Sequence, residues 1–488
     1  MNDRPILTRR AVSYPLLVVF CLALSSAFQT TLAVMAEEHW PQFRGPGGSG
    51  VAPDGDFPVE FGPEKNVVWK LALPRGHSSP CVYGPRIFLT AFEDEKLVTL
   101  AIDRDKGGVL WRRAVSPGEM ERGSRLSSPA SSTPAADEKG VVVYFAPFGL
   151  IAYDHEGAEQ WRRPLPTPIT GHGASTSPVI ARGLVVLLCD QDIDSHLLAV
   201  DRVTGKTRWK TERPGFRRGF STPLAWPPES PEVVVLAGTL RLNAYDLANG
   251  TERWRVRGLP NEMVASPVAG GGMIFCAGWT HGSGVDVMPT FDELLEKDEN
   301  GDKRLNREEA SGPARRHFPY VDADKDEHIS REEYESLAEI FEAAENALLA
   351  VRPDGSGDIT ESHVAWRATK QLPYVPSPLY YEGRVFLVKN GGIASCYDAK
   401  SGRQLYLGRL DVVGNYYASP VAAGGKICVA AERGTVVVLR SAAKLEVLAR
   451  NDVGEAILAS PAIVGQRLYL RTEKHLWVFG TSAAGATR

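Results

Sequence analysis

The segment Leu198–Trp209 has the sequence LAVDRVTGKTRW, and this phrase decides the fold. We predict an apolar strand ending at Asp201, a tight turn containing Gly205, and a second strand that carries Trp209. The aspartate can accept hydrogen bonds from the backbone of the turn it begins, and glycine tolerates the positive φ of a short hairpin. The aromatic ring then lies on the next strand, where it can cover the apolar face of a neighbouring unit.

The phrase recurs with a period of roughly 40–45 residues, which indicates stacked supersecondary units. The further copies are AIDRDKGGVLW (Ala101–Trp111), AYDHEGAEQW (Ala152–Trp161), AYDLANGTERW (Ala244–Trp254) and, with tyrosine in the tryptophan position, CYDAKSGRQLY (Cys396–Tyr406). A single phrase of this kind is weak evidence for any fold, whereas four or five copies in phase favour a repeat architecture.

A second marker, a Ser-Pro or Thr-Pro pair followed by a strand, occurs eight times. The pairs begin at Ser79, Thr133, Ser177, Thr222, Ser266, Ser377, Ser419 and Ser460. Pro267 and Pro378 are 111 residues apart, whereas the other consecutive prolines are separated by 41 to 54 residues. The excess predicts an insertion of roughly 67 residues in this unit.

Each unit is predicted to contain four strands joined by hairpins, and a ring of such sheets is a β-propeller. The last unit ends at Leu476–Gly480 without a tryptophan strand, and the strand around Trp69 can supply the missing one. This pairing would close the ring and remove two exposed sheet edges. We therefore predict an all-β fold, an eight-bladed β-propeller with an inserted α-helical EF-hand pair; seven blades are the alternative.

The composition agrees with many short strands and limits the functions. The 488 residues include 47 Gly and 34 Pro, which suit short strands and turns. A net charge of −4 and a pI near 6.3 give no reason to expect a nucleic-acid partner. Beyond the first 36 residues, five cysteines lie apart from one another, mostly in apolar strands, which favours buried free thiols over disulfides or a haem site.

The first 36 residues are typical of an export signal. Arg4, Arg9 and Arg10 precede an apolar run at Pro15–Ala27, and a small-residue cleavage site follows at Ala36. The run is short for a membrane span, so we expect no span in the mature chain; an uncleaved anchor is the alternative. The predicted location is periplasmic or extracellular, with association to the cell envelope.

The predicted organisation has six parts. They are a signal peptide (1–36), a leader (37–65), the first propeller part (66–284), the EF-hand pair insertion (285–346), the second propeller part (347–481) and a tail (482–488). The insertion carries 19 Asp and Glu against 8 Lys and Arg, a net charge of −11, so the rest of the chain is about +7. Its apolar residues recur at helical spacing.

Two twelve-residue windows of the insertion resemble EF-hand loops, in which alternate residues and a closing glutamate supply hard oxygen ligands to calcium. The predicted ligands are Asp298, Asn300, Asp302, Arg304, Asn306 and Glu309 in the first loop and Asp322, Asp324, Asp326, His328, Ser330 and Glu333 in the second. Arg304 and His328 would contribute backbone carbonyls only.

The sixth position of each loop departs from the EF-hand pattern. It is usually glycine because the chain turns there with positive φ, but here it is Lys303 and Glu327. Left-handed geometry costs such residues about 1–2 kcal/mol, which is compatible with the weak affinities of extracellular calcium modules. We expect calcium in at least one loop; the alternative is an acidic pair that no longer binds.

The segments before the Ser/Thr-Pro pairs should lie near the channel, and they carry polar side chains. These are Arg75, His77, His172, Arg217, Arg218, Glu262, Tyr374, Asn415, Tyr416 and Glu455. Such a funnel could hold a quinone or a small anion, and the alternative is that a wet channel mouth is simply polar. No Gly-rich phosphate loop, HExxH motif or nucleophile elbow is present, and no catalytic residue is predicted.

The Ser/Thr-Pro strands, the aspartate–glycine–tryptophan phrases and the leader WPQFRGP (Trp40–Pro46) resemble the pyrroloquinoline-quinone-like (PQQ-like) propeller family over roughly residues 40–284 and 346–480. That family includes quinone-dependent alcohol dehydrogenases and the outer-membrane assembly scaffold lipoprotein. Its enzymes are expected to carry a vicinal cysteine pair beside the quinone, and no two cysteines are adjacent here.

The resemblance therefore favours a non-enzymatic exported scaffold with protein partners in the cell envelope and with calcium in its insertion. A PQQ-dependent oxidoreductase and a small-molecule or glycan-binding propeller are the alternatives. The oligomeric state is left open.

Overall fold

Eight antiparallel sheets, each with at least four strands, are arranged as the blades of a β-propeller in the computed structural model. The structure describes residues 39–120, 126–281, 289–316 and 318–481. The predicted signal peptide (1–36) and tail (482–488) lie outside the described residues. The eight-bladed prediction is confirmed.

The strands of the first four blades follow one another along the chain. Blade 1 contains β2 (Cys81–Tyr83), β3 (Arg86–Glu93), β4 (Lys96–Asp103) and β5 (Val109–Val115); blade 2 contains β6 (Ala135–Asp137), β7 (Gly140–Phe145), β8 (Gly149–Tyr153) and β9 (Glu159–Pro164); blade 3 contains β10 (Val179–Ala181), β11 (Leu184–Cys189), β12 (His196–Asp201) and β13 (Thr207–Glu212); blade 4 contains β14 (Leu224–Trp226), β15 (Val233–Gly238), β16 (Arg241–Asp246) and β17 (Glu252–Arg257).

The other four blades include one interrupted and one composite sheet. Blade 5 contains β18 (Val268–Gly270), β19 (Met273–Gly278), β22 (Ala347–Val351) and β24 (Val364–Ala368); blade 6 contains β25 (Leu379–Tyr381), β26 (Arg384–Lys389), β27 (Ile393–Asp398) and β28 (Gln404–Arg409); blade 7 contains β29 (Val421–Ala423), β30 (Lys426–Ala430), β31 (Thr435–Arg440) and β32 (Val447–Asp452); blade 8 contains β33 (Ala462–Val464), β34 (Arg467–Arg471), β35 (His475–Gly480) and β1 (Val67–Ala72). A short strand β23 (Gly357–Asp358) adds to blade 4 in parallel.

Blade 8 is closed by both ends of the described chain. Strand β1 pairs antiparallel with β35, with Trp69 opposite Val478 and Leu71 opposite Leu476. The predicted pairing of the Trp69 strand with the Leu476 strand is therefore correct, and it leaves the ring without an open blade.

A ring of eight hydrogen bonds joins the innermost strands. The backbone N–H of the Ser or Thr before each proline donates to the hydroxyl of the equivalent residue in the next blade. The donor–acceptor distances are 3.0 Å (Ser79 to Thr133), 3.0 Å (Thr133 to Ser177), 3.2 Å (Ser177 to Thr222), 2.9 Å (Thr222 to Ser266), 3.0 Å (Ser266 to Ser377), 3.0 Å (Ser377 to Ser419), 2.8 Å (Ser419 to Ser460) and 3.1 Å (Ser460 to Ser79). The last bond returns to the first blade and closes the ring. Each Ser/Thr-Pro pair needs Ser or Thr before the proline, because that hydroxyl accepts the hydrogen bond from the preceding blade.

The outermost strands explain the repeated phrase. In β9 and β13 the tryptophan is the one buried residue, and its neighbours are exposed or partly exposed. Trp161 donates from Nε1 to the carbonyl oxygen of Arg202 in the next blade at 3.0 Å. A Cβ atom on Gly205 would lie 2.7 Å from that ring, and Gly205 has a φ of 66°. Asp201 accepts bonds from the amides of Val203 and Thr204, as predicted.

The inner strands are apolar because neighbouring blades cover both of their faces. Strands β7 and β15 are buried at every position, and the apolar clusters extend from each blade into the next. The leader crosses the end of the ring at which the first and second strands of each blade are joined. Trp40 pairs with Val82 of blade 1, and Arg44 donates to the carbonyl oxygen of Pro378 in blade 6 at 2.8 Å. The leader therefore forms a floor under the channel.

The helical segment between β19 and β22 will be called the insert, and its described residues are 289–316 and 318–346. It contains α1 (Phe291–Leu295), α2 (Gly312–Arg316), α3 (Phe318–Val321), α4 (Arg331–Ala343) and the two-stranded sheet of β20 (Leu305–Asn306) and β21 (His328–Ile329). Helix α5 (Thr360–His363) lies before β24. Capping boxes begin α1 at Thr290 and α4 at Ser330.

The insert has an apolar core of its own, which includes Phe291, Leu305, Phe318, Ile329 and Leu337. It connects the second and third strands of blade 5. In an antiparallel sheet that connection lies at the opposite end from the hairpins that the leader touches, so the insert and the leader are on opposite faces of the propeller. Among the described residues, no helix has the length and apolar character needed to cross a bilayer.

Candidate functional site

An axial cavity of about 490 Å³ lies inside the ring, between the leader and the face that carries the insert. Its wall includes the eight hydroxyl residues of the hydrogen-bonded ring, and Phe43 of the leader reaches it from the floor. Four of the ten predicted channel residues line it: His77, His172, Glu262 and Tyr374. The cavity is thus a mixed polar and aromatic space.

The polar groups of the cavity are held in defined states. The Tyr374 hydroxyl donates to Glu262 Oε1 at 2.5 Å. Burial raises the pKa of Tyr374, and the Glu262 carboxylate raises it further, so Tyr374 stays a neutral donor. Burial lowers the pKa of His77 to about 4, with a smaller contribution from the Arg471 guanidinium, so His77 is a neutral imidazole at pH 7.

The other six predicted channel residues do not line the cavity. Arg75 forms an isolated backbone β-bridge with Phe92, and the Asn415 side chain donates a hydrogen bond to the Glu432 carboxylate. Tyr416 is buried in the core of blades 6 and 7. Glu455 binds His475 and Thr472. Arg217 and Arg218 belong to a segment at the rim of the cavity, described next.

Residues 213–223, between the outer strand of blade 3 and the inner strand of blade 4, will be called the mouth segment. It starts at Arg213, whose guanidinium forms a fully buried bidentate pair with Asp190 at 2.7 and 2.9 Å. The amide of Arg217 donates to Thr239 Oγ1 at 2.8 Å. The segment continues to Phe220 and Thr222, which line the cavity. Its conformation therefore shapes one wall of the cavity.

The insert contacts the mouth segment through α3 and the loop that follows it. Arg217 Nη1 donates to the carbonyl oxygen of Tyr320 at 3.0 Å, and the Arg218 guanidinium lies 3.7 Å from the centre of the Tyr320 ring. Asp192 joins the two parts: it pairs with Arg218 at 3.0 Å and with Lys325 of the insert at 3.4 Å. Asp192 is 4% exposed, so this junction is largely removed from solvent.

The second predicted loop brings three carboxylates together. Oxygens of Asp322, Asp324 and Glu333 lie within 4.8 Å of one another, the one such group found among the described residues. Asp322 is 4% exposed, and its Oδ1 has no hydrogen-bond partner. Burial raises the pKa of the Asp322 carboxyl, opposed by the Lys325 ammonium and reinforced by the Glu333 carboxylate. A buried carboxylate oxygen without a hydrogen-bond partner can serve as a ligand to a hard cation.

Glu333 accepts hydrogen bonds from the amides of Ala323, Asp324 and Ser330, and the remaining predicted ligands of the second loop also have partners within the insert. Asp326 forms an ion pair with Arg304 of the first loop, and it accepts a hydrogen bond from the His328 amide at 2.9 Å. Ser330 hydrogen-bonds Glu333 through its hydroxyl at 2.8 Å. Strands β20 and β21 pair Leu305 with Ile329 and Asn306 with His328, so the two loops lie side by side.

In the first loop the side chains bond to the loop's own backbone. Asp298 accepts from the amides of Gly301 and Lys303, and Asp302 accepts from that of Arg304. Asn306 accepts from Glu309, whose carboxylate accepts from the Asn306 amide at 2.9 Å. Asn300 accepts from the Asp302 amide. The carboxylates of this loop do not come together as those of the second loop do.

The sixth position of each loop has the predicted left-handed backbone. The φ angle is 63° at Lys303 and 67° at Glu327. The turn that normally takes glycine is therefore formed here by two side-chain-bearing residues.

Two parts of the site were not predicted from the sequence. One is the junction of Asp192, Tyr320 and Lys325 with the two arginines. The other is a groove of about 840 Å³ beside the insert, lined by six prolines, the exposed side chains of Met120 and Ile169, and by Lys325. The proline-rich segment Pro164–Pro168 is visible in the sequence, but its partners are distant along the chain.

The axial cavity does not suit PQQ, the cofactor that the family resemblance implies for enzymes. PQQ is a polycarboxylate, and buried carboxylates require cationic or several N–H partners. The described lining residues include no Arg, Lys or Cys, and the charged group among them is the Glu262 carboxylate. The five described cysteines are free and separate from one another.

The closed ring of eight blades, each with at least four strands, and the tryptophans that dock on neighbouring turns define the chain as an eight-bladed β-propeller. A family model described as outer membrane protein assembly factor BamB matches residues 62–192 and 193–292. The match covers just under half of the chain and shows sequence similarity to that family over these residues. No curated protein matches the sequence.

Solved structures with the same fold include a BamB protein and two dehydrogenases. BamB from Moraxella catarrhalis is 14% identical, with a TM-score of 0.53, covering 86% of this chain and 98% of that one. A europium-containing methanol dehydrogenase is 11% identical, with a TM-score of 0.57 and coverage of 91% and 98%. Quinohemoprotein alcohol dehydrogenase from Comamonas testosteroni is 12% identical, with a TM-score of 0.54 and coverage of 91% and 80%. These similarities establish the fold.

Proposed function

We propose that this propeller is an exported, non-enzymatic scaffold that binds a protein partner in the cell envelope, and that the insert holds a calcium ion. The similarity to an assembly-factor family supports the scaffold role. The cavity chemistry supports it further, because the described lining residues suit neither a bound polycarboxylate quinone nor a cysteine-assisted oxidation.

The main support for the scaffold role is an exposed groove on the face of the propeller that carries the insert. The groove beside the insert has Met120 and Ile169 in its wall, with side chains 44% and 37% exposed. Large apolar side chains that share an exposed groove mark a site of association more often than single ones do. Lys325, whose side chain is 34% exposed, supplies a charged group at the edge of the groove, of the kind found at the rim of protein interfaces.

The scaffold role is tested by capture of envelope proteins on the purified full-length chain. We expect Met120→Glu with Ile169→Glu to abolish capture of any partner that the wild type retains. Val203→Glu is the matched control, because Val203 is 60% exposed but lies in a turn at the opposite end of blade 3. If the groove variant and the control retain the same proteins as the wild type, the scaffold role of this face is wrong.

The calcium site is proposed in the second loop, with Asp322, Asp324 and Glu333 as carboxylate ligands. Its support is the unpartnered Asp322 oxygen and the convergence of the three carboxylates. The left-handed φ at Glu327 and the ion pair between Asp326 and Arg304 both oppose binding. We therefore expect a dissociation constant near 10⁻⁴–10⁻³ M, as in extracellular calcium modules.

Calorimetric titration of the full-length chain with calcium tests this site. We expect a binding heat that Glu333→Gln removes and that Glu309→Gln, the equivalent change in the first loop, retains. If Glu309→Gln loses the binding heat and Glu333→Gln keeps it, calcium binds in the first loop instead. No heat at millimolar calcium in the wild type would refute calcium binding.

A further inference from the structure

We propose that the second loop and the mouth segment form one coupled unit, so that a cation bound in the loop stabilises the wall of the axial cavity. This inference rests on the proposed calcium site. It adds a regulatory link between the insert and the propeller, which neither the scaffold role nor the calcium site requires by itself.

The link begins at the metal ligand itself. Asp322 follows α3, so Tyr320 is two residues before the carboxylate whose oxygen lacks a partner. Lys325, in the same loop, donates to the carbonyl oxygens of Asp322, at 2.7 Å, and Pro319. Positions of Tyr320 and Lys325 are therefore set by the conformation of the loop that the cation would organise.

The next step crosses from the insert to the propeller. The backbone carbonyl oxygen of Tyr320 accepts a hydrogen bond from Arg217, and the face of the Tyr320 ring contacts the Arg218 guanidinium. Lys325 pairs with Asp192, which also pairs with Arg218. Two residues of the insert and three of the propeller thus share one network, largely buried except at Lys325, in which a shift of one member changes the partners of the others.

The last step reaches the cavity. Phe220 is two residues after Arg218, lines the cavity, and contacts the ring of His172 edge-on at 6.4 Å between centroids. Its amide donates to the carbonyl oxygen of Met263 at 2.8 Å, beside Glu262. A Cβ atom on Gly171 would lie 3.1 Å from Arg218 Nη2, so the guanidinium also contacts the segment that carries His172.

The coupling has a physical driving force in the loop. Without a cation, three carboxylates lie within 4.8 Å of one another and repel. A divalent cation replaces this repulsion by attraction and fixes the loop, and with it Tyr320 and Lys325. Because the coupling is reciprocal, a substitution that disturbs the mouth segment should in turn alter the calcium affinity of the insert.

The test compares the calcium affinities of full-length variants that keep the same charge. Arg218→Lys preserves the pair with Asp192 but loses the planar stacking on Tyr320. We expect it to weaken calcium binding about fivefold or more. Arg440→Lys is the control, since Arg440 pairs with Glu446 at an exposed site on blade 7. Equal affinities for the wild type and Arg218→Lys would show that the insert is independent, and would overturn the coupling while leaving the calcium site intact.

Hydrogen–deuterium exchange on the wild type gives a second readout that needs no variant. Calcium should slow the exchange of peptides that cover 213–223 and 165–178, as well as those from the loop. Slowing confined to the loop would overturn the coupling. Absence of any calcium heat would overturn both the coupling and the calcium site, and is thereby distinguished from failure of the coupling alone.

Discussion

At the residue scale, one glycine in each repeated phrase meets two requirements at once. Gly205 has a φ of 66° and also lies under the Trp161 ring of the preceding blade. The first requirement could be predicted from the hairpin, since a short turn needs positive φ. The second could not, because it depends on a ring 44 residues away in the sequence.

These two requirements can be separated by substitution. Gly205→Ala should lower the free energy of unfolding by more than about 2 kcal/mol, since strain in left-handed geometry adds to a steric clash with Trp161. Gly183→Ala is the control: its φ is 75°, but a Cβ atom would have no neighbour within 4 Å. It should lose about 1–2 kcal/mol. Equal losses in urea unfolding would show that the tryptophan contact contributes nothing.

His77 gives the propeller a pH dependence of known sign. Its pKa of about 4 in the folded chain lies below the ordinary value of 6.5, so the unfolded chain takes up the proton first. The stabilisation is complete above pH 6.5 and is lost as the pH falls towards 4, with a total of at most about 3 kcal/mol. His77→Gln should therefore show a shallower loss of stability between pH 6.5 and 4. Parallel curves for variant and wild type would contradict this.

At the element scale, the strand order followed from the repeats, whereas the contacts of the insert did not. The repeated phrases mark the third and fourth strands of blades, and the Ser/Thr-Pro pairs mark the first. Trp254 departs from this pattern, because the turn of the next blade differs. Strand β23 pairs with the strand that carries Trp254, and Nε1 of Trp254 has no hydrogen-bond partner. Local patterns predict hairpins well, but they carry no information on which distant loop an insertion will contact.

Within the insert, the loop ligands were predicted as two equivalent sets, and the structure distinguishes them. The ion pair of Arg304 with Asp326 removes one oxygen donor from the second loop, and the sequence offers no sign that residues 22 positions apart would meet. Their proximity follows from the pairing of β20 with β21.

This ion pair predicts the effect of a substitution on calcium affinity. Arg304→Gln should tighten binding about two- to fivefold, because it frees Asp326 and an exposed ion pair contributes about 0.2–1 kcal/mol. Arg331→Gln removes the same charge from the insert, but from a cluster with Asp292 and Glu335. Calorimetry on the full-length chain should show no such gain for the control; an equal gain would mean that net charge alone sets the affinity.

At the scale of the whole molecule, the number of blades is expressed in a single closed circuit of hydrogen bonds. Eight Ser/Thr-Pro pairs could be counted in the sequence, but their bonding to one another could not be foreseen, since each partner belongs to a different blade. The leader is a similar case. The sequence marked it only as a leader before the repeats, whereas its position as the floor of the cavity required the assembled ring.

The circuit predicts the cost of removing one hydroxyl. Thr222→Val keeps the shape of the side chain but leaves the buried amide of Ser177 without its acceptor. We expect a loss of about 1–3 kcal/mol in the free energy of unfolding. Thr222→Ser retains the hydroxyl and should lose less, since only a methyl group is removed. Equal destabilisation of the two variants in chemical denaturation would refute the role of the hydroxyl.

The composite eighth blade also sets the order of events during synthesis. Strand β1 (Val67–Ala72) is translated long before its partner β35 (His475–Gly480), because the other blades lie between them in the sequence. Blades 1 to 7 must therefore be synthesised before the ring can close. Until then β1 has no partner strand for its backbone hydrogen-bonding groups. Fragments that stop short of Leu476 lack the partner strand and therefore leave the edge of β1 unpaired.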